Sequence, residues 1–318
     1  MRIRRIYGVS VLTVILLAFT RADDSTRPAQ FHWPESNHYN RVIVNAQQGV
    51  GSYSKDWFSQ DFLVTDLTIA DANKLDGATA KQQYQALRDL LTSYGLAVGT
   101  YISGTTVEPL ENETKYPPAV VPLDSMTKTS VYVGTLPDET YRRIIDLSDP
   151  DTRHSFQAAI KTLWEANPAP VRFVDNAAVH ASAGKGQSWA SYCQNMKEIR
   201  ELGETMGAVQ IFNIAVHVSE LSDAEAAELM QAVGRGGILL EMPWHLEIRK
   251  NPAATERARS RYRQLLDSGM AIIMAEPGPE PSEALVKWVS TWRKPTDHLY
   301  FAGAFWKQPN PTLFSAVQ

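Results

Sequence analysis

Two acidic residues each close a short apolar run in this sequence, and such a pair suits acid–base chemistry. Residues 171–174 lead into Asp175, and residues 237–240 lead into Glu241. Two carboxylates can cleave a glycosidic bond when one stays charged and the other holds a proton. We predict Asp175 as the nucleophile and Glu241 as the general acid and base, because the longer glutamate side chain reaches further toward a leaving oxygen. The sequence alone leaves the reverse assignment open.

These acids need elements that bring their strands together, and the chain contains a series of candidate strands. They cover residues 62–67, 96–102, 143–147, 171–175, 209–213, 237–241, 270–274 and 298–302. Their apolar, β-branched composition is typical of parallel strands buried on both faces. Helical patterns lie between them, over residues 79–94, 151–166, 187–206, 222–234, 253–268 and 282–293. This alternation predicts an α/β fold, a single (β/α)8 TIM barrel, with an open doubly wound sheet as the alternative.

Two local patterns add to this prediction. Ser222 and Glu225 have the spacing of a capping box, which predicts that a helix begins there. The proline-rich connection 103–142 follows the second predicted strand. In a barrel this connection would lie beside the active site and could roof the cleft.

The carboxyl ends of barrel strands meet at one mouth, where catalytic groups lie. The strand ends and the loops after them add candidate substrate-binding residues: Asp66, Tyr101, Asp146, Asn176, Asn213, Trp244, Glu276 and Trp306. The aromatic side chains among them are suited either to stacking on sugar rings or to local packing. For Asp146 and Glu276, a solvated loop acid or a helix cap is an equally good interpretation.

Four pieces of the chain carry a family resemblance. They cover residues 61–67, 97–104, 144–153 and 173–176. These pieces are similar to the first four barrel strands of glycoside hydrolase family 114, whose members are endo-acting α-1,4-galactosaminidases of secreted polysaccharides. Glu241 is similar to that family's second catalytic acid. The resemblance spans roughly residues 60–250 and implies Asp175 and Glu241 as the catalytic pair, with a site lined by Asp66, Tyr101 and Asn176.

The chain also departs from that family. Pro168 and Pro170 stand before the fourth strand, where glycines are usual, and Asn213 ends the fifth strand without the expected basic neighbour. These departures bear on the sugar more than on the reaction, and a related hydrolase-like family fits nearly as well. The predicted function is a glycoside hydrolase that cleaves α-glycosidic bonds in an exopolysaccharide by a retaining mechanism, with a galactosamine-containing polymer as the candidate substrate. Its partner would be a polysaccharide or an oligosaccharide.

The amino-terminal residues predict export. Arg2, Arg4 and Arg5 precede an apolar stretch over 9–19, and residues 20–22 offer a cleavage site. We predict a signal peptide over 1–22, a leader over 23–60 with one short strand at 41–45, and a hydrolase domain over 61–318. The mature protein would be secreted or periplasmic and free of the membrane, with an uncleaved anchor as the alternative.

Composition excludes some classes of partner and leaves two other functions open. A formal net charge of −4 and a pI near 6.0 give no case for nucleic-acid binding. We predict no cofactor and no metal, although His180, His217 and His245 follow the fourth, fifth and sixth strands. A metal-dependent hydrolase or deacetylase is therefore one alternative. A non-catalytic carbohydrate-binding barrel is the other.

Overall fold

The computed structural model describes residues 31–33, 43–44, 63–65, 89, 92–93, 97–109, 131–133, 142–166, 168–179, 187–275 and 283–302. In chain order the strands are β1 (Ile43–Val44), β2 (Leu63–Thr65), β3 (Val98–Ser103), β4 (Thr106–Pro109), β5 (Val131–Val133), β6 (Arg142–Ile145), β7 (Val171–Val179), β8 (Val209–Ala215), β9 (Gly237–Glu241), β10 (Ala271–Ala275) and β11 (Leu299–Ala302). The helices are α1 (Pro150–Ala166), α2 (Trp189–Thr205), α3 (Asp223–Val233), α4 (Pro243–Leu246), α5 (Pro252–Asp267) and α6 (Glu283–Ser290), with 3-10 turns at Val218–Glu220 and Ile248–Lys250.

An eight-stranded sheet forms the centre of the protein. Its order is β1-β2-β3-β7-β8-β9-β10-β11, and each pair of neighbours is parallel. Helices connect the strands from β7 onward, as parallel pairing requires. The predicted α/β barrel architecture is confirmed, and the open doubly wound order is absent from the described strands.

Two of the strand assignments made from the sequence were wrong. The run 143–147 is not a barrel strand, because β6 lies in a separate three-stranded antiparallel sheet of order β4-β6-β5. The strand expected in the leader, β1, instead pairs with β2 and is the first of the eight. Short apolar runs look alike in both kinds of sheet, so only pairing separates them. The two errors cancel, and β7 and β9 are still the fourth and sixth barrel strands.

The helix predictions agree with the structure where it describes them. The expected helices 151–166, 187–206, 222–234, 253–268 and 282–293 appear as α1, α2, α3, α5 and α6, with ends that differ by a few residues. Of the helix expected at 79–94, the described residues 89, 92 and 93 are helical. The predicted signal peptide over 1–22 lies outside the described residues. Within the described part of the chain, no helix is long and apolar enough to cross a bilayer.

Alternation along the strands divides the core into two layers. One set of buried residues, including Phe173, Ile211 and Leu239, forms a cluster inside the sheet. Their strand neighbours, including Val174, Phe212 and Ile238, belong to a larger cluster shared with the helices. Successive side chains of a strand point to opposite faces, so this division identifies which face each strand residue occupies.

The amino end of the sheet is covered by a short segment from the predicted leader. Phe31 joins the inner cluster, and the Trp33 ring stacks on Tyr300 with centroids 5.8 Å apart. The Trp33 indole also donates to the carbonyl of Arg235 at 3.1 Å, just before β9. This contact leaves the opposite, carboxyl end of the strands for the acidic residues.

Replacing Ser222 with alanine tests how α3 begins. The Ser222 hydroxyl accepts from the backbone of Glu225, whose carboxylate accepts from Ser222 in return. These hydrogen bonds hold the pKa of Glu225 below its usual 4.5. Their stabilisation is therefore present above that pH and is lost as the pH falls through the lower folded value. We expect Ser222→Ala to lower the free energy of unfolding by about 1 kcal/mol at pH 7 and by less at pH 3, measured by urea denaturation.

The matched control is Ser290→Ala, an exposed serine at the carboxyl end of α6 that donates to the Lys287 carbonyl. It should change stability little at either pH. An equal loss in Ser222→Ala at both pH values would contradict the capping interpretation.

Candidate active site

Three polar side chains extend the inner face of neighbouring strands toward their carboxyl ends, although β7 and β8 continue beyond Asp175 and Asn213, where the sequence predicted that they end. Asp175, Asn213 and Glu241 each lie two residues beyond a member of the inner cluster, on β7, β8 and β9. Residues two apart on a strand share a face, so all three belong to the inner face. Because β8 pairs with both neighbours, Asn213 lies between the two acids.

The amide of Asn213 binds both carboxylates. Its Nδ2 donates to Asp175 Oδ1 at 2.5 Å and to Glu241 Oε1 at 2.6 Å. The two accepting oxygens therefore lie no more than about 5 Å apart, close to the spacing of retaining glycosidases and below the 6.5–9.5 Å of inverting ones. Asp175 is partly buried, while Glu241 is exposed at the end of a strand whose other residues are all buried.

Strand β7 is irregular at the first acid. Its register with β8 runs as far as Val174, opposite Phe212, and then shifts before Ala178 pairs with Ile214. Between these points Asn176 has a φ of 49°, in the left-handed region. Such bulges redirect side chains and are common beside active sites. The bulge sets the direction in which the Asp175 carboxylate leaves the strand.

The turn after β3 holds this bulge in place. Gly104 donates its backbone N–H to the Asp175 carbonyl at 2.7 Å, and the Thr105 hydroxyl donates to the Asn176 carbonyl at 2.9 Å. The Gly104 carbonyl in turn accepts from the buried amide of Asn195 at 2.9 Å. The Asn176 side chain donates to Asp175 Oδ2 at 3.0 Å. Asp175 is therefore supported through both its backbone and its carboxylate.

The second acid is followed by a similar backbone feature. Met242 has a φ of 50°, caps the amino end of α4 and donates its N–H to the Ala275 carbonyl at 2.5 Å. Among the described residues, Asn176 and Met242 are the non-glycine residues with positive φ. Each directly follows one of the two acids. A left-handed conformation costs roughly 1–2 kcal/mol for such residues, and strain of this kind clusters at functional sites.

A buried glutamate ties together the loops beyond β8 and β9. Glu247 is 3% exposed, and its carboxylate accepts from the Ser219 backbone at 2.5 Å and from the Tyr262 hydroxyl at 3.0 Å. Ser219 follows β8, Glu247 follows α4, and Tyr262 lies on α5. These bonds join the segments next to Asn213 and Glu241. Sequence reasoning missed Glu247, because no strand end marks it.

The structure shows other contacts for two further predicted site residues, Asp146 and Trp244. Asp146 does not end a barrel strand, which removes the reason for placing it at the mouth, and its Oδ1 accepts from the backbone and hydroxyl of Ser148. This is the turn or cap role that the sequence left open. The Trp244 ring lies 6.1 Å from that of Trp288 on α6 and packs against the outer core. Its role as a sugar platform stays a prediction.

Several predicted residues cannot be placed by the described part of the chain. Asp66, Glu276 and Trp306 lie outside it. For Tyr101 the backbone is described, and it pairs with Phe173 in the register of β3 with β7. The roles of these four residues stay predictions. The predicted roof over 103–142 is described in part, and it contributes β4 and β5 of the antiparallel sheet.

The three histidines after the predicted strands were the candidates for a metal site, and Cys193, the single cysteine of the chain, is a further reactive side chain to place. No group of three or more histidine, cysteine or acidic residues suited to a metal occurs in the described ranges, and His180 lies outside them. His217 contacts Glu220 at 3.3 Å, within its own turn. Burial raises the pKa of the Cys193 thiol to about 12, so it stays protonated near neutral pH and is a poor nucleophile.

Gly104 and Asn195 are the positioning residues that sequence reasoning overlooked. Gly104 closes the piece 97–104 that carries the family resemblance, and this was the one available signal. Nothing in the sequence marks Asn195, which lies within α2 like many polar helix residues. Only packing of α2 against the turn after β3 gives it a partner.

Comparison with known proteins finds likeness in structure alone. No protein-family model matches the chain, and no curated protein matches its sequence. Solved structures with a similar fold include Ega3 of Aspergillus fumigatus in complex with galactosamine, at a TM-score of 0.51 and 10% identity over 90% of this chain and 100% of that one. The cycloalternan-degrading enzyme of Trueperella pyogenes has a TM-score of 0.51 and 12% identity, over 91% of this chain and 46% of that one.

A third similar structure is the cycloisomaltooligosaccharide glucanotransferase of Paenibacillus sp. complexed with cycloisomaltoheptaose. It has a TM-score of 0.51 and 12% identity, over 76% of this chain and 39% of that one. This chain therefore spans less than half the length of the last two proteins, whereas it spans the whole length of Ega3. At these identities the likeness concerns the fold, which it supports as a (β/α)8 barrel.

Gly104→Ala tests whether the turn after β3 positions Asp175. A Cβ at residue 104 would lie 2.7 Å from Val174 Cγ1 and 3.3 Å from Ala177 Cα, against the bulge itself. We expect a loss of about 1–3 kcal/mol in the free energy of unfolding, together with a displaced Asp175. Urea denaturation and a crystal structure of the variant would measure both effects.

Gly269→Ala is the matched control. Residue 269 has a φ of 88° and open space around it, so alanine there should cost about 1 kcal/mol or more through backbone strain alone. It should leave the Asp175 segment unmoved. A Gly104→Ala protein as stable as the wild type, with its bulge unchanged, would contradict the proposal that the turn after β3 positions Asp175.

Proposed function

We propose that this protein is a glycoside hydrolase that cleaves α-glycosidic bonds in an exopolysaccharide by a retaining, two-carboxylate mechanism. The observation that carries the proposal is the shared contact with Asn213, which holds an Asp175 oxygen and a Glu241 oxygen within about 5 Å of each other. This separation leaves no room for a water between a carboxylate and the sugar, as inversion needs. It suits direct attack by a carboxylate.

In the first step Asp175 attacks the anomeric carbon and forms an ester with the sugar. The bond from that carbon to the leaving oxygen breaks, and Glu241 transfers its proton to that oxygen. The assignment follows from the surroundings of the two groups. Asp175 is partly buried and held by amide donors from Asn213 and Asn176, which fix the direction of a nucleophile. Glu241 is exposed at the mouth, where it can exchange protons with solvent.

In the second step a water molecule attacks the same carbon. Glu241, now deprotonated, takes a proton from that water, and the ester bond to Asp175 breaks. The sugar is released with its original anomeric configuration, and both carboxyl groups return to their starting states. No other reactant is required.

The substrate part of the proposal draws on the resemblance and on the similar structures. Of the three structures reported above, Ega3 is in complex with galactosamine, the second is a cycloalternan-degrading enzyme, and the glucanotransferase is complexed with cycloisomaltoheptaose. The match with Ega3 covers 100% of Ega3 and 90% of this chain. We propose an amino-sugar polymer, containing galactosamine, as the first substrate to test.

Export is also part of the proposal. The basic residues and apolar stretch at the amino terminus support a cleaved signal peptide. A polysaccharide substrate outside the cell requires such a route. Amino-terminal sequencing of the mature protein from its native host would test it, and a first residue near Asp23 is the expected result.

Substitution of each acid tests the reaction. We expect Asp175→Asn and Glu241→Gln to abolish reducing-end release from partially deacetylated α-1,4-galactosaminoglycan without unfolding the protein, because each removes a group that makes or breaks a bond. Glu165→Gln is the matched control, since Glu165 lies on the exposed face of α1 in a pair with Lys161. Full activity in either site variant would rule out the assignment.

The stereochemistry of the product tests the mechanism separately. Retention should appear as the original anomer in early proton NMR spectra of the reaction. Azide should restore activity to Asp175→Ala and give a glycosyl azide of inverted configuration, because the small anion takes the place of the missing carboxylate. If azide instead restores Glu241→Ala with inversion, the two roles are exchanged. An inverted product from the wild type would show that the carboxylates act as in inverting enzymes.

A non-catalytic carbohydrate-binding barrel predicts a different pattern. Wild type, Asp175→Asn and Glu241→Gln would then all bind the polymer equally and release no reducing ends. Binding measured by affinity electrophoresis beside the turnover assay separates the two functions. A chelator that abolishes turnover would favour the metal-dependent alternative.

A further inference from the structure

We propose that Asn213 is a positioning residue that sets the separation and direction of the two carboxylates, rather than a residue that contacts the sugar. This inference rests on the proposed function, but its structural part can be tested without turnover. It assigns to the strand between the two acids a specific task in the reaction.

The argument begins with what one amide nitrogen can do. Nδ2 carries two hydrogens in a fixed plane, and here they are directed to Asp175 Oδ1 and Glu241 Oε1 at 2.5 and 2.6 Å. Two acceptors bound to the same planar group have a fixed separation. Small movements of either side chain therefore stretch one of the hydrogen bonds.

Burial argues against a direct contact with substrate. Asn213 is 2% exposed, and both of its donor hydrogens are already used by the carboxylates. A sugar hydroxyl could accept from the amide nitrogen only by displacing one of the acids, and the amide oxygen is buried away from solvent. The sequence alone placed Asn213 among the substrate-binding residues, because a strand-end position does not reveal burial.

The amide oxygen of Asn213 supports the same conclusion. Asn213 Oδ1 is buried and has no hydrogen-bond partner among the described residues. A buried unsatisfied acceptor costs about 1–3 kcal/mol. The reverse orientation would direct its lone pairs at two carboxylate oxygens, which is worse whenever these are charged. The acids themselves therefore hold the amide, and its unsatisfied oxygen is the cost of that arrangement.

The backbone makes Asn213 a rigid support. It lies in β8 between two paired strands and is opposite Leu239 in the register with β9. Groups on rigid strands hold a geometry better than groups on loops. The amide is also uncharged, so it directs Glu241 without the stronger preference for a charged carboxylate that a lysine or arginine would impose.

Asn213→Ala and Asn213→Asp test this proposal. Alanine removes the donor, and aspartate keeps the shape but replaces the donor with an acceptor beside two acids. We expect kcat to fall on the order of 100-fold in both variants, with KM within about threefold of wild type, because the lost interaction orients reacting groups rather than binding substrate. If Asn213→Ala folds poorly by thermal unfolding, the isosteric Asn213→Asp carries the test.

A second readout does not depend on activity. Carboxyl carbon-13 signals of Asp175 and Glu241, assigned through Asp175→Asn and Glu241→Gln, should both shift in Asn213→Ala. Asn251→Ala is the control, since Asn251 caps α5 through a hydrogen bond to the Ala254 N–H at 2.8 Å. It should cost about 1 kcal/mol of stability and move neither signal.

The possible outcomes separate the two proposals. A raised KM with kcat retained would overturn the positioning role and identify a sugar contact. Unchanged carboxyl signals in Asn213→Ala would also overturn it, even if kcat falls. A wild-type protein with no turnover, whose two signals still shift in Asn213→Ala, would contradict the hydrolase function and support the positioning role.

Discussion

The pairing of β8 between β7 and β9 is the constraint on which the site depends. Parallel pairing places Asp175, Asn213 and Glu241 close together toward the carboxyl side of the sheet, and the pleat turns them to the same inner face. A shift of one residue in any of the three strands would move its polar side chain among the helices. The same shift would bring a residue of the outer apolar core into the site. Register and chemistry are therefore set by one set of contacts.

The apolar layers hold this register. The inner cluster fills the barrel below the polar residues, and the outer cluster binds each strand to its helices. Both layers consist of close-packed residues, so small displacements of a strand are resisted from both sides. Phe31 and Trp33 cover the amino end. The polar residues lie at the other end of a scaffold that is stabilised by these apolar layers.

In the described part of the chain, the non-glycine residues with strained backbone lie in the bulge of β7 and just after β9. Asn176 and Met242 adopt left-handed conformations directly after the two acids, and each is held by hydrogen bonds from a neighbouring segment. Gly104 matters because it lets the turn after β3 approach the bulge of β7 closely. The acids therefore owe their directions to several weak contacts, which Asn195 and Glu247 extend into the helices.

The sequence by itself determined most of the barrel strands and the positions of the longer helices, and it singled out two acids that the structure brings close together. Periodicity, capping residues and carboxylates after apolar runs are local patterns, and local patterns can be recognised in a sequence without knowing the fold. Tertiary structure decided the rest. It assigned β1 to the barrel and β6 to a second sheet, because strand partners are distant in sequence. It also made Asn213 the bridge between Asp175 and Glu241, and it gave Gly104 and Asn195 their tasks. These roles depend on burial and on contacts between segments far apart in the chain, which no local pattern records.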